Sequence, residues 1–322
     1  MDNYFLRQRS RFVQLTRSFF LERGYLEVET PILAPCLIPE PAIEVFSTKF
    51  LGSPGHATDL YLVPSPELWM KRLLAEGSGS LFQIAKCFRN SEVPSRYHSP
   101  EFTMLEWYTV GHNYKDSMVV IDDLLAFLCS QMMFEWEPTF PCDRMSMEEA
   151  FAEFACLDLN QLWQKDALFE AAKVFSTSIG IGDTWEVIFN TLFVSAVEPR
   201  LREYSGLILY DYPAAIPTLA KTSGHNAERW ELYLRGVEIA NCYSEETSRE
   251  KLELLFQREA ERKQPCEVQP RADGQFPKIV GGRLPECSGA ALGMDRLLMV
   301  LSGKDHLDCA VSFPFSTFNL EE

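Results

Sequence analysis

The chain has 322 residues, 46% of them hydrophobic, and a formal net charge of −16. That length and apolar content describe a globular chain with one large core or two smaller ones, and exclude a disordered one. The acidic balance argues against extended nucleic-acid binding, because such affinity comes largely from Lys and Arg neutralising phosphates and no basic cluster offsets the excess of acid.

Residues 4–23 space Phe12, Leu15, Phe19 and Phe20 at a helical period, and Gly24 follows as a helix stop. Arginines interrupt the apolar positions of this start, unlike the clean apolar run of a signal peptide. YLEVETPIL alternates as an extended strand broken at Pro31. LYLVPSPELWMKRLL predicts a short strand, a Ser-Pro-Glu turn at 65–67 and a helix, since proline suits a first turn and glutamate complements a helix N-terminus. SLFQIAKCF and EFTMLEWYTV predict a hairpin with a long polar connection, a kind of loop more often functional than a short one.

From about 114 to 200 the amphipathic patterns KDSMVVIDDLLAFLCSQMMF, SMEEAFAEFACL and DALFEAAKVF predict a mostly helical insertion. The apolar run LLAFLCSQMMF is about half the length a membrane-spanning helix requires, so no membrane association is expected. GLILYDYP predicts a strand, ERWELYLRGVEIANCY a hairpin turning at Arg235 and Gly236, and CSGAALGMDRLLMVLSG a strand passing through glycines into a helix. Nine cysteines without a Cys-x-x-Cys pair read as reduced thiols, and the cytoplasm as the compartment.

Three constellations carry possible chemistry. Glu106 sits in TMLEWY on a strand dense with apolar residues, on the same face as Tyr108. Buried there, its carboxylate needs a cation, either a protein side chain or a ligand ammonium. Glu231 and Glu238 lie on opposite arms of one hairpin, where like charges destabilise a sheet unless something positive, such as magnesium with phosphate, sits between them. Gly289, Gly293 and Arg296 combine glycines that allow close ligand approach with a guanidinium able to stack or to bind phosphate. Taken singly, each reads better as a solvated or structural feature.

In chain order these segments resemble the class II aminoacyl-tRNA synthetases, lysyl branch. GYLEVETPIL is similar to the first class signature, FRN with YHSPEFTMLEWY to the second and GAALGMDRLLMVL to the third; PELWMKRLL and VEIAN with SEE are also lysyl-type. The resemblance spans roughly residues 5–312. It implies an α+β fold, the class II synthetase catalytic domain with an antiparallel sheet flanked by helices, extending over 1–322, and a homodimer. Lysyl-tRNA synthetases place an anticodon-binding barrel of about a hundred residues before the first signature, and only about twenty residues precede it here. The chain is therefore expected to lack that reader and to resemble the elongation factor P lysine ligases, which attach lysine or (R)-β-lysine to a lysine side chain of that factor.

By position, the resemblance gives Arg89 the ATP α-phosphate and the substrate carboxylate, and gives Phe102 and Arg296 the two faces of adenine. Asn90, Ser99, Ile239 and Gly293 would line the nucleotide site, and Glu231 and Glu238 would hold Mg²⁺ on the triphosphate. Glu106, Tyr108 and Glu245 would read the side-chain ammonium, Ser65, Pro66 and Glu67 the substrate amino group, and Asn241 its carboxylate. Lysyl-tRNA synthetases usually carry alanine at the position of Ser65 and glycine at that of Ala291, whereas the protein ligases resemble this chain at both, which favours a β-positioned amine. The chain departs from the pattern where Ser91 interrupts the Arg-Asn-Glu run, so either Ser91 or Glu92 faces ATP, with Glu92 preferred. Two rivals stand beside a lysine-activating ligase. One is an aspartate or asparagine activator, disfavoured because its substrate's side chain would want a cation where Glu106 and Glu245 offer acid. The other is an inactive paralogue acting as an amino-acid sensor or partner-binding protein, disfavoured by the joint presence of Arg89, Glu231, Glu238 and Arg296.

Overall fold

In the computed structural model, which describes residues 3–53, 55–90, 95–263 and 267–318, the chain opens with α1 (Asn3–Glu22). All four residues of its apolar stripe, Phe12, Leu15, Phe19 and Phe20, are buried. Gly24, with φ of +78°, ends the helix, and the Gly24 and Tyr25 amides donate back to the carbonyls of Leu21 and Phe20. Then follow β1 (Leu26–Glu27), β2 (Leu33–Ala34), β3 (Ser47–Leu51), β4 (Ala57–Leu62), α2 (Glu67–Ala75), β5 (Leu81–Phe88), β6 (Glu101–Val110) and α3 (Tyr114–Gln131). After these come β7 (Asp143–Ser146), α4 (Met147–Ala150), α5 (Lys165–Ala172), α6 (Trp185–Leu192), β8 (Gly206–Pro213), β9 (Thr222–Ser223), β10 (Asn226–Leu234) and β11 (Val237–Ser244). The chain closes with α7 (Arg249–Arg262), α8 (Phe276–Val280), β12 (Cys287–Gly293) and α9 (Met294–Leu301). No helix among the described residues is long and apolar enough to cross a membrane.

These elements form two compact units, residues 1–137 with 244–322, and residues 138–243. In the first, the strands run β1-β5-β6-β12, parallel between β1 and β5 and antiparallel elsewhere. A separate antiparallel sheet has the order β2-β4-β3. The second unit orders its strands β11-β10-β8-β7, with β9 beside β10 and only the β7–β8 pair parallel. The architecture is α+β. The strand expected across YLEVETPIL is reduced to two-residue pieces on either side of Pro31, which has no N–H to give a ladder and restricts the residue before it. Within 114–200, α3 belongs to the first unit, while α4, α5 and α6 cover the second unit's apolar core, where Phe151 and Phe189 stack at 5.2 Å.

Two faces of the first unit's main sheet have opposite characters. On β6 the odd residues meet α1: Arg9 donates to Thr103, Phe20 packs on Trp107 at 5.4 Å, and Tyr25 just beyond the helix bonds Thr109 at 2.6 Å. That face is the core. The even residues Phe102, Met104, Glu106 and Tyr108 are paired in register with Cys87, Ala85, Gln83 and Leu81 on β5, and the last three of them with Gly293, Ala291 and Gly289 on β12. Small residues, Ala85 and Cys87 on one side and Gly289, Ala291 and Gly293 on the other, flank this face. Helix α3, which packs beside α1, begins with a capping box in which Asn113 accepts from the Lys115 and Asp116 amides while Asp116 accepts from the Asn113 amide. Asn113→Ala is expected to cost about 1 kcal/mol, read as a lower urea midpoint with unchanged slope.

Candidate functional site

The even face of β6 carries the acidic half of the site. Glu106 is 3% exposed, and its Oε1 accepts from the Tyr108 hydroxyl at 2.6 Å. Among the described residues no ion pair reaches it. Burial first, then Glu67, push its carboxyl well above the usual carboxylate range, against the hydrogen bond from Tyr108 and the pull of Lys71. Burial, with Glu106 next, raises the Tyr108 hydroxyl as well.

Helix α2 supplies the second acid and a cation. Pro66 is its N-cap and Glu67 its first residue, so the Ser-Pro-Glu turn does what its composition predicts. One turn later Lys71, 2% exposed, brings Nζ within 2.5 Å of Glu67 Oε1 and 2.5 Å of Glu245 Oε2. Burial works against the Lys71 charge, but Glu245 and Glu67 outweigh it and raise its pKa. Glu245 is 1% exposed, and its amide donates to the Cys287 carbonyl at 3.0 Å. Its carboxyl is pushed up to about 7 by burial, held down by Lys71 and raised again by Glu67. Glu40 is likewise raised to about 7 by burial and then by Glu67, with Arg89, Lys263 and Lys71 opposing.

Gly289 explains why this cluster fits. A Cβ there would lie closer than 3.0 Å to both Glu245 Oε1 and the Tyr108 ring, so β12 must carry glycine opposite Tyr108. The close approach is to the pocket's own side chains.

Beyond the acids, the same face becomes basic and aromatic. Phe102 and Ala291 pack on Ala85, Cys87 and Met104. The Arg89 guanidinium lies 5.3 Å from the Phe102 ring centre. Arg296, in the first turn of α9 after the N-cap Gly293, donates Nε–H to the Tyr97 carbonyl at 2.9 Å and so ties the β5–β6 connection to the helix. Asn90 is exposed and its amide donates to the Glu44 carbonyl, and Ser99 is half-buried. Ser91 and Glu92 lie outside the described residues. A half-buried aromatic ring packed on Ala85, Cys87 and Met104 with the Arg89 guanidinium nearby suits a planar base and its phosphates.

The second unit carries Glu231, Glu238, Ile239 and Asn241. Its hairpin turns at Arg235 and Gly236, both with positive φ, as a two-residue turn of this kind requires. The register pairs Glu231 with Asn241 and Glu238 with Tyr233, and shifts between Leu232 and Tyr233, so the two glutamates are not directly opposite each other. Ile239 is buried. Glu231 is 7% exposed; its Oε2 accepts from the Tyr212 and Tyr233 hydroxyls, each at 2.6 Å, and its Oε1 pairs with Arg229. The positive group beside Glu231 in this structure is therefore Arg229, which also lies over the Tyr212 ring at 4.6 Å. Glu238 and Glu198 add negative charge to the same surroundings. Among the described residues no group of three or more His, Cys, Asp or Glu side chains could hold a metal ion.

Lys71, Glu40 and Arg229 are the groups that sequence reasoning missed. Lys71 stands four residues after Glu67 on a predicted helix, and Arg229 two residues before Glu231 on a predicted strand, so both shared a face with a chosen acid. Glu40 lies in irregular chain with no period to read.

The tRNA synthetases class II (D, K and N) family matches residues 2–317. Curated proteins named elongation factor P–(R)-β-lysine ligase are similar along almost the whole length. The one from Proteus mirabilis (strain HI4320) is 37% identical over 319 residues, 96% of this chain and 94% of that protein. Those from Vibrio cholerae serotype O1 and Haemophilus influenzae (strain PittGG) are 35% and 34% identical, each over 96% of this chain and 95% and 94% of their own length. With the α+β architecture and the acidic and basic halves of one sheet face, these matches establish that the chain belongs to the class II tRNA synthetase family (D, K and N), in its elongation factor P–(R)-β-lysine ligase branch.

Proposed function

We propose that this protein is an ATP-dependent ligase that activates lysine or (R)-β-lysine and transfers it to a lysine side chain of elongation factor P. The observation that carries the reading is the acidic cluster of buried Glu106 and Glu245 with half-buried Glu67, in which one lysine, Lys71, pairs with Glu67 and Glu245 and leaves Glu106 without an ion pair among the described residues, beside Arg89 and Phe102. So much buried acid is costly unless a cationic ligand completes it. An aspartate-type substrate would add to the repulsion.

In this reading the substrate carboxylate oxygen attacks the ATP α-phosphorus, pyrophosphate leaves, and an aminoacyl-adenylate forms. The target lysine's neutral amine then attacks the acyl carbon, and AMP leaves. Arg89 would meet the charge developing on phosphate and carboxylate, and Phe102 with Arg296 would hold the base. Asn90, Ser99, Ile239, Gly293 and Glu92 are assigned to the nucleotide, and Ser65, Pro66, Ala291 and Asn241 to the amino acid, by resemblance. Magnesium would neutralise the triphosphate, with Glu231 and Glu238 holding it. No covalent enzyme nucleophile is required; positioning and electrostatics supply the rate.

The test is ATP–pyrophosphate exchange with a panel of amino acids under magnesium. Lysine or (R)-β-lysine is expected to drive exchange, and aspartate, asparagine and norleucine are not. No exchange with any lysine isomer would favour the sensor reading.

A further inference from the structure

We propose that Lys71 is a specificity-determining residue of this pocket: its ammonium is a built-in cation that fixes the charge deficit at two, the number of ammonium groups a diamino acid brings. The proposal rests on the reading of the pocket as a lysine-type site. Its basis is geometric. Lys71 is buried on α2 and its Nζ stands 2.5 Å from a carboxylate of its own helix and 2.5 Å from one beyond β11. Three acids surround one cation, so the cluster, when fully ionised, is two positive charges short. Glu106, which among the described residues accepts a hydrogen bond from Tyr108 and pairs with no cation, is one place where a positive charge is missing.

The groups around Lys71 come from every packed element. Glu67 lies on α2, Glu106 and Tyr108 on β6, and Glu245 follows β11; Glu40 acts from irregular chain, offset by Arg89 and Lys263. Glu40 and Glu245 titrate near 7 and Glu106 above the usual carboxylate range, so the empty pocket holds protons that a diamino acid must displace. With Lys71 removed, Glu67 and Glu245 lose their shared cation, more protons are retained, and binding shifts to higher pH.

Lys71→Met and Lys71→Gln test this by calorimetric titration with lysine or (R)-β-lysine from pH 6 to 9, with ATP affinity as the control for a folded protein. The expected result is an affinity at pH 7 weaker by about tenfold or more, a binding midpoint moved up by about one pH unit, and unchanged ATP affinity. Wild-type affinity and midpoint in a folded variant would overturn the role of Lys71 while leaving the lysine-type reading intact. Failure of the wild-type enzyme to bind any lysine isomer would instead overturn that reading. If neither variant folds, wild-type titrations in buffers of different ionisation enthalpy decide: proton release on binding supports the charge deficit, and none contradicts it.

Discussion

Glu106→Gln should abolish most recognition of a lysine-type substrate while leaving ATP affinity in place. Removing one partner of a desolvated charge pair costs about 2–5 kcal/mol, so the amino-acid affinity should fall about 30-fold at the least. The same substitution should stabilise the ligand-free protein. A carboxyl whose pKa is raised by folding binds more protons folded than unfolded between its ordinary and raised values. Its contribution to stability therefore declines as pH climbs through that window and stays low above it. Glutamine keeps an oxygen for the Tyr108 hydroxyl and removes the charge. The expected gain is on the order of 1–2 kcal/mol at pH 8, vanishing toward pH 4, read as melting temperature against pH. A variant that loses ATP and amino acid equally, or melts lower at pH 8, would contradict the assignment.

Gly289→Ala is expected to be nearly as damaging for a different reason. Its φ is not in the left-handed region, so the backbone tolerates alanine; the obstacle is the added methyl, which must displace Glu245 and the Tyr108 ring. Both belong to the acidic half of the site. Overpacking of this kind costs about 1–3 kcal/mol, and a displacement of even about 1 Å in a positioned group can cost about a hundredfold in rate. Amino-acid-dependent exchange should drop by about two orders of magnitude with a modest fall in melting temperature. Wild-type exchange in this variant would show that the close approach has no bearing on recognition.

Regular elements with a clear period were legible in the sequence. The α1 stripe, the β5–β6 pair, the Arg235–Gly236 turn and the glycine-led entry to α9 follow from local rules that tertiary contacts reinforce. The fragmentation of YLEVETPIL was signalled by Pro31, but its extent depends on what pairs with each half. Glu106 could be singled out as a buried acid. What the sequence period does not convey is the partner: Tyr108 rather than a cation for Glu106, Lys71 between Glu67 and Glu245, and Arg229 rather than a bare gap beside Glu231. Those depend on which strands and helices meet, and in the second unit on a register shift that pairs Glu231 with Asn241.

The most direct test of the account is intact-mass spectrometry of elongation factor P after incubation with this enzyme, ATP, magnesium and either lysine or (R)-β-lysine. The account predicts the mass of one lysyl or β-lysyl group added at a single lysine, dependent on ATP and lost with Glu106→Gln. An unmodified factor, in the presence of active exchange driven by an acid that bears no second ammonium, would contradict it.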